Sequence, residues 1–261
     1  MTDNPNLNNT LDNYIAATSK SKVAVIVPLF GYWNDVKTDQ LNEETLKWSL
    51  DRIYSSVHNI YIIFVGELGR TAQPVADILI GKKQGGNVIG VAAKRGWTYA
   101  DYLREGFKVA QKETDAAFII NVNPWLLCQH NGIDILVDRI NRDDVNIVSG
   151  FDTRGTVQEG FDMLKYNAPI EENDLNLDFM GMKRYAAEMI DIDINYKSHY
   201  FIARDMWQSS FAKGFNVITT QSLPIFSFDI DWSDLESRED FEADKAYFIS
   251  KWKFDPSIKY V

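Results

Sequence analysis

The feature that most constrains this chain is an alternation through its first 150 residues. Short apolar runs closed by Gly, Pro or Asn are separated by stretches of helical periodicity. Val23-Ala24-Val25-Ile26-Val27 is stopped by Pro28, whose missing N–H cannot continue a central ladder. Ile60 to Val65 runs into Gly66-Glu67-Leu68-Gly69, Val88 to Ala92 into Lys94-Arg95-Gly96-Trp97, and Ala116 to Val122 into Asn123-Pro124-Trp125. Val145 to Val148 is a further apolar run. Between the runs, Leu46, Leu50, Ile53 and Val57 fall on one helical face. Leu103, Phe107 and Ala110 do the same behind a Thr98/Asp101 helix start, and Ile133, Leu136, Val137 and Ile140 mark another helix. A short helix is expected from Pro74 to Ile80, with Pro in its first turn and Gly81 past its end. Such alternation predicts a parallel sheet with right-handed crossovers and helices on both faces.

In sheets of this kind ligands lie outside the carboxyl ends of the strands, where loops and helix N-termini gather. The run Ala116 to Trp125 is the organising one: apolar enough to be covered on both faces, then abruptly polar at Asn121 and Asn123. The neighbouring runs bring Pro28 to Trp33, Gly66 to Thr71 and Lys94 to Trp97 to the same rim. Lys94 and Arg95 are fixed cations suited to a diphosphate; as residues alone they read more readily as a solvated loop pair, and their place on the rim favours binding. Phe30, Tyr32, Trp33, Trp97 and Trp125 offer rings on which a sugar or base can stack. Ordinary packing of loops on the sheet accounts for any one ring as well.

Beyond Gly150 the pattern is irregular. Residues 151 to 180 read as a charged excursion over the sheet, with a short strand from Leu177 to Met182, then helical pieces at Arg184 to Ile190 and at His199 to Lys213, closed by Gly214. Phe215 to Thr220 and Ile225 to Ile230 read as two strands. Glu239 to Trp252 reads as a terminal helix with Phe241, Phe248 and Trp252 inward. Residues 1 to 20 carry few large apolar groups and read as a flexible arm. The formal net charge of -10 argues against a nucleic-acid ligand on a broad basic surface. The single cysteine, Cys128, excludes an intrachain disulfide and suits the cytoplasm. No signal peptide and no apolar run long enough to span a bilayer is seen.

In order and spacing, residues 21 to 253 resemble the family 2 glycosyltransferases of the GT-A fold. Val23 to Phe30 is similar to that family's first strand and Pro-aromatic turn, and Ile62 to Gly69 to its second strand and acidic turn. Lys94-Arg95-Gly96-Trp97, followed by a helix holding Gly106, resembles its N-x-G segment. Asn121-Val122-Asn123 stands at its D-x-D motif. Asp205 to Gly214 resembles the E-D-x-D-x-x-x-R-x-x-x-x-G helix, and Tyr247-Phe248-Ile249-Ser250-Lys251-Trp252 the C-terminal Y-F-x-x-K-W.

The resemblance implies a single GT-A type domain, an α/β unit with a Rossmann-like, mostly parallel central sheet. Residues 21–150 would be its nucleotide-sugar-binding half and 151–261 its acceptor-side half. It implies transfer of a sugar from a nucleotide-diphosphate-sugar donor to a glycan, lipid-linked or protein hydroxyl acceptor, with inversion. The donor-binding residues would be Pro28, Phe30, Glu67, Lys94, Arg95, Gly96, Asn121, Asn123 and Trp125. In the family the D-x-D carboxylates help a divalent cation, Mn or Mg, hold the donor's diphosphate. Asn123 would be the metal position here, but Asn121 and Asn123 bring amide oxygens without charge, so metal affinity should be weaker. Asp205 would be the general base, with Asp191 and Asp193 as nearby competitors and His199 as a structural residue. The competing reading is a GT-A-fold binding or scaffolding protein without metal-dependent transfer. No glycine-rich phosphate loop follows the first strand, which sets nucleotidyltransferases aside.

Overall fold

The computed structural model describes residues 21–30, 39–67, 87–124, 126–127, 130–152, 175–227 and 238–255. The described strands are β1 (Lys22–Pro28), β2 (Asn59–Glu67), β3 (Asn87–Ala93), β4 (Phe118–Val122), β5 (Leu126–Leu127), β6 (Ile147–Asp152), β7 (Phe179–Lys183) and β8 (Val217–Ser227). The described helices, numbered here in chain order, are α1 (Asp39–Tyr54), α2 (Tyr99–Glu113), α3 (Gly132–Ile140), α4 (Arg184–Met189), α5 (His199–Ala212) and α6 (Arg238–Trp252). The expected N-terminal arm, the helix from Pro74 to Ile80, and Tyr32, Trp33 and Trp125 lie outside the described residues.

The strands form one sheet in the order β3-β2-β1-β4-β7-β6-β8, and the two-residue β5 extends it along β8. Strands β3, β2, β1 and β4 are mutually parallel, as the alternation requires. The second half departs from it. Strand β7 is inserted between β4 and β6 and runs antiparallel to both, while β6 and β8 are again parallel. The sheet is therefore mixed but mostly parallel. The two strands expected at Phe215 to Thr220 and Ile225 to Ile230 are one, β8. Its ladder with β6 shifts register between Gly150 and Phe151, where the partner passes from Thr220 to Pro224, so a single strand absorbs the irregularity that reads as a break.

Side-chain parity sorts the core into two layers. Val23, Val25 and Val27 of β1, with Phe118, Ile120 and Val122 of β4, pack against Leu46, Leu50 and Ile53 of α1 and Ile133, Leu136, Val137 and Ile140 of α3. Ala24 and Ile26 of β1 and Ile119 of β4 face the other way. They meet Leu103, Phe107 and Ala110 of α2, Phe201, Ile202 and Met206 of α5, and Phe248 of α6. Val57 falls past the end of α1 and is 41% exposed, so that helix stops a turn before its apolar pattern does. Asn121 has the parity of Ile119, which carries it into the layer of α2 and α5.

The start of α2 is fixed as the sequence indicates. Thr98 accepts from the Asp101 N–H and the Asp101 carboxylate accepts from the Thr98 N–H, closing a capping box. At its middle, α2 crosses β1 at Gly106, where an added Cβ would lie 2.5 Å from Ile26 Cγ2 and 3.3 Å from Val65 Cγ2. Alanine there gains about 1 kcal/mol of helix propensity. Against this, overpacking costs about 1–3 kcal/mol, and the β-branched Ile26 has little rotamer freedom to yield. Gly106→Ala is expected to lower stability by about 1 kcal/mol net, measured as a lower urea midpoint at unchanged m-value. An equal or higher midpoint would show that the helix rides farther from the sheet.

Candidate functional site

Parallel registers set the rim. Pro28 pairs with Val65 and Val65 with Val91, while Ile26 pairs with Asn121, so Pro28, Val65, Val91 and Asn123 stand at one level. The loops after β1, β2, β3 and β4 all leave from there. Pro28 ends β1, and the next N–H, of Leu29, returns to the Val65 carbonyl at 2.8 Å. Glu67 is the last residue of β2. Lys94, Arg95 and Gly96 are exposed, and Gly96 has φ +85°, a left-handed turn that a side chain would strain.

Aromatic rings tie these loops together. Phe30 sits edge-on to Tyr99 and Tyr102, at 5.8 and 5.4 Å between centroids, and Trp97 packs edge-on to Tyr102 at 6.1 Å. Burial, with the nearby Glu67 carboxylate adding to it, pushes the Tyr102 phenol up to about 12. Phe30, Glu67 and Trp97 therefore meet around the first turn of α2.

Tyr99 carries this cluster inward to β4. Its hydroxyl accepts from Asn121 Nδ2 at 3.3 Å, and that amide also donates to the Leu177 carbonyl. Asn123 is bound twice to Asp178: its N–H donates to the Asp178 carbonyl at 2.7 Å, and its Nδ2 to Asp178 Oδ1 at 3.0 Å. Asp178 is 1% exposed and also receives His199 Nε2, at 2.9 Å. The His199 ring lies tilted on Tyr99 at 4.8 Å. Pro124, next along, accepts from Ser49 Oγ of α1 at 3.0 Å. Asn121, Asn123, Asp178, His199 and Tyr99 thus form one buried polar group at the end of β4.

Among the described residues, that group does not supply the ligand set of a divalent cation. Both asparagine amides are turned to donate into the protein. Asn121 Oδ1 is buried without a hydrogen-bond partner, and only one carboxylate and one imidazole stand nearby among the described residues. No set of three or more His, Cys, Asp or Glu residues suited to a metal occurs among them. An oxygen-rich, negatively charged cage is what a hard cation requires, and neutral amides committed to protein acceptors do not supply it.

Asp205 lies elsewhere, on the face of α5 that meets α6. It is 1% exposed, and its Oδ1 accepts from Trp252 Nε1 at 2.6 Å and from Tyr196 Oη at 3.2 Å. The Lys251 ammonium spans both oxygens at 2.8 and 3.0 Å and reaches Asp193 Oδ2 at 2.8 Å. Burial works against the charge on Lys251, but the Asp193 and Asp205 carboxylates outweigh it and hold the ammonium above its ordinary value. Burial, then the charge of Asp205, raises the Tyr196 phenol. A carboxylate of α6 itself, Asp244, accepts the N–H groups of Lys197 and Ser198 at 2.7 and 2.6 Å, capping α5 from outside. Asp193 is held by Lys251, Tyr247 and Asn195. Asp191 is exposed.

The structure therefore brings Pro28, Phe30, Glu67, Asn121 and Asn123 to one rim. It sets Lys94, Arg95 and Gly96 on an exposed turn at its edge, and Asp205 away from it against α6. Sequence reasoning passed over Tyr99 and Asp178 and took His199 as structural. A polar Asp between Leu177 and Phe179 at a strand start was the available signal for the second.

No protein-family profile matches the sequence, and comparison with curated proteins gives no match. Solved structures do match in fold. Glucosyl-3-phosphoglycerate synthase from Mycobacterium tuberculosis, in complex with Mn2+, UDP and glucosyl-3-phosphoglycerate, is 12% identical at a TM-score of 0.58, covering 95% of this chain and 85% of that one. Its complex with Mn2+, UDP-glucose and phosphoglyceric acid is also 12% identical at 0.58, covering 93% and 83%. The complex with Mn2+, UDP and phosphoglyceric acid is 11% identical at 0.55, covering 86% and 77%. The α/β architecture expected of a GT-A type domain is the one this chain has.

With Tyr196 Oη, Lys251 and Trp252 all directed at it, Asp205 is a structural anchor whose loss strands three donors. Asp205→Ala is expected to cost about 1–3 kcal/mol, the range for leaving buried donors unsatisfied, read as a lower urea midpoint. A loss below about 1 kcal/mol would show that the carboxylate is not what fixes α5 to α6.

Proposed function

We propose that this protein is a glycosyltransferase that moves a sugar from a nucleotide-diphosphate donor to a hydroxyl acceptor without a divalent cation. The observation that carries this reading is the rim itself: four parallel strand ends at one level, on a fold shared with a synthase solved with UDP-glucose. In this reading β1 to β4 and their loops hold the donor, and residues 151–261 shape the acceptor side. Phe30 and Trp97 supply apolar faces for base or sugar, and Glu67 accepts a hydrogen bond from the nucleotide. Lys94 and Arg95 neutralise the diphosphate, a task that fixed cations perform when no metal is held. Catalysis then consists of positioning and charge stabilisation of the leaving group. The protein works in the cytoplasm on a glycan, lipid-linked or protein acceptor. None of the helices among the described residues is long and apolar enough to cross a membrane.

One observation favours a second reading, a binding or scaffolding protein on the same fold: the polar residues at the end of β4 hydrogen-bond one another.

Calorimetry against uridine-, guanosine- and thymidine-diphosphate sugars, with and without Mn2+ or Mg2+, decides. The transferase reading expects binding whose affinity is unchanged by chelator, with release of nucleoside diphosphate on longer incubation. Binding without release supports the scaffold, and binding that needs metal overturns the metal-free assignment. A Lys94→Ala, Arg95→Ala double variant is expected to weaken donor binding by about tenfold or more, the loss of two charge-assisted contacts.

A further inference from the structure

His58 lies in the turn between α1 and β2, at the end of the sheet opposite the rim. Its side chain is 5% exposed, and Nδ1 is buried without a hydrogen-bond partner. Nε2 stands 3.8 Å from Asp134 Oδ1, close enough for charges to act on each other but too far for a hydrogen bond. That oxygen is already engaged: it accepts the Ser56 hydroxyl and, at 3.2 Å, the Val57 N–H. Ser56 Oγ in turn accepts the His58 N–H at 3.2 Å. Asp134 belongs to the first turn of α3, whose N-cap Asn131 makes no side-chain cap bond. Residues 56–58 therefore hold the start of α3 through one carboxylate. Ser55, beside them, donates to the His130 carbonyl just ahead of that helix.

The imidazole is placed so that charge suits it badly. An imidazolium carries two N–H donors. Here Nδ1 has no acceptor, so only the Nε2 side, facing Asp134, is provided for. A buried polar group without a partner costs stability, and a charged one costs more. Arg52 and Tyr54 stand near the end of α1 and His130 ahead of α3, but Asp134 is the charged group that bears on the ring among the described residues. Burial outweighs it and holds the ring below its ordinary value of 6.5.

We propose that His58 is an acid-released latch between the α1–β2 turn and the start of α3. The proposal is independent of what the rim binds. As pH falls the ring takes up a proton, its Nδ1–H finds no acceptor, and the ring leaves its seat for water. The turn that presents Ser56 and Val57 to Asp134 opens with it. The unfolded chain, in which the ring is solvated, takes the proton more readily than the folded one. The stability that the neutral ring contributes is therefore fully present above 6.5 and is lost as pH falls from there through the lower folded value. Asp115 and Asp193, both held below the ordinary carboxylate value of 3.8, lose their contributions only in stronger acid.

The test is urea unfolding of the full chain from about pH 7.5 to about pH 5.5, a range that spans the ordinary histidine value. Hydrogen exchange is read at the same pH values and corrected for intrinsic rates. Wild type is expected to lose up to about tenfold in its folding constant per pH unit inside the window. His58→Phe keeps a ring without a titrating nitrogen and is expected to flatten that stretch of the profile. In wild type, the Val57 and His58 N–H groups and the first turn of α3 are expected to exchange faster on acidification while β1 and β4 stay protected. Should His58→Phe fail to fold, His58→Gln takes its place, and the wild-type exchange pattern needs neither variant. Equal slopes in wild type and variant overturn the proposal. So does a wild type that gains stability over the variant on acidification, the result expected if Asp134 holds the ring charged. Exchange that rises uniformly through α3, β1 and β4 also overturns it, because acid then acts on the whole fold and not on this turn.

Discussion

The paired hydrogen bonds from Asn123 to Asp178 join the two halves of the sheet at the point where they stop pairing. Below them, β4 and β7 exchange a regular antiparallel ladder from Phe118 and Lys183 to Val122 and Phe179. Above them the chains diverge, one toward α1 and the other back through Leu177, which receives Asn121. Buried backbone groups at such a divergence have no ladder partner and must be satisfied by side chains. Asn123, Asp178 and Asn121 do this. Because Asp178 is also the acceptor for His199, the same contact sets how the second half of the chain addresses the rim.

The junction of α5 with α6 solves a different problem. Two carboxylates, a phenol and an indole N–H gather around one ammonium that keeps contact with water, and each charged group has its complement. The ion pair itself, with its ammonium partly in water, adds little net stability, yet removing the buried Asp205 leaves the indole and phenol donors unsatisfied. Its effect is on geometry: with Phe248 and Phe241 packed on Phe201, it fixes the rotation of α5 about its axis. Asp244 fixes the axial position through the N–H groups of Lys197 and Ser198.

The first half of the fold was legible because its signals are local. Apolar runs closed by Gly, Pro or Asn give the strands, and the Thr98/Asp101 pair gives the start of α2. The antiparallel β7 was not legible, since strand order is decided by contacts between distant segments, as in the pairing of Phe118 with Lys183. The single strand β8 was hidden by the same fact: its irregularity near Pro224 is accommodated by a register shift against β6, which no local pattern records. At the rim, strand ends announced Pro28, Glu67 and Asn121 through abrupt changes of polarity. The surroundings of Asp205 were invisible for a physical reason. Its partners Lys251 and Trp252 come from a helix more than 40 residues downstream, and a motif on α5 alone cannot tell a carboxylate facing a ligand from one facing another helix.

The dependence of α5 on α6 also imposes an order of assembly. Strands β1 to β4 and helices α1 and α2 lie in the first part of the chain and can pair as they leave the ribosome, which releases the N-terminal segment first. Helix α5 follows, but the groups that cap its start and fix its rotation are Asp244, Lys251 and Trp252. Until residue 252 has been made, Asp205 has no ammonium or indole to bind, and His199 stands on a helix without its final seat. The ends of β1 to β4 are thus in place early in synthesis, while the part of the rim that α5 supplies is completed only after α6 has been made.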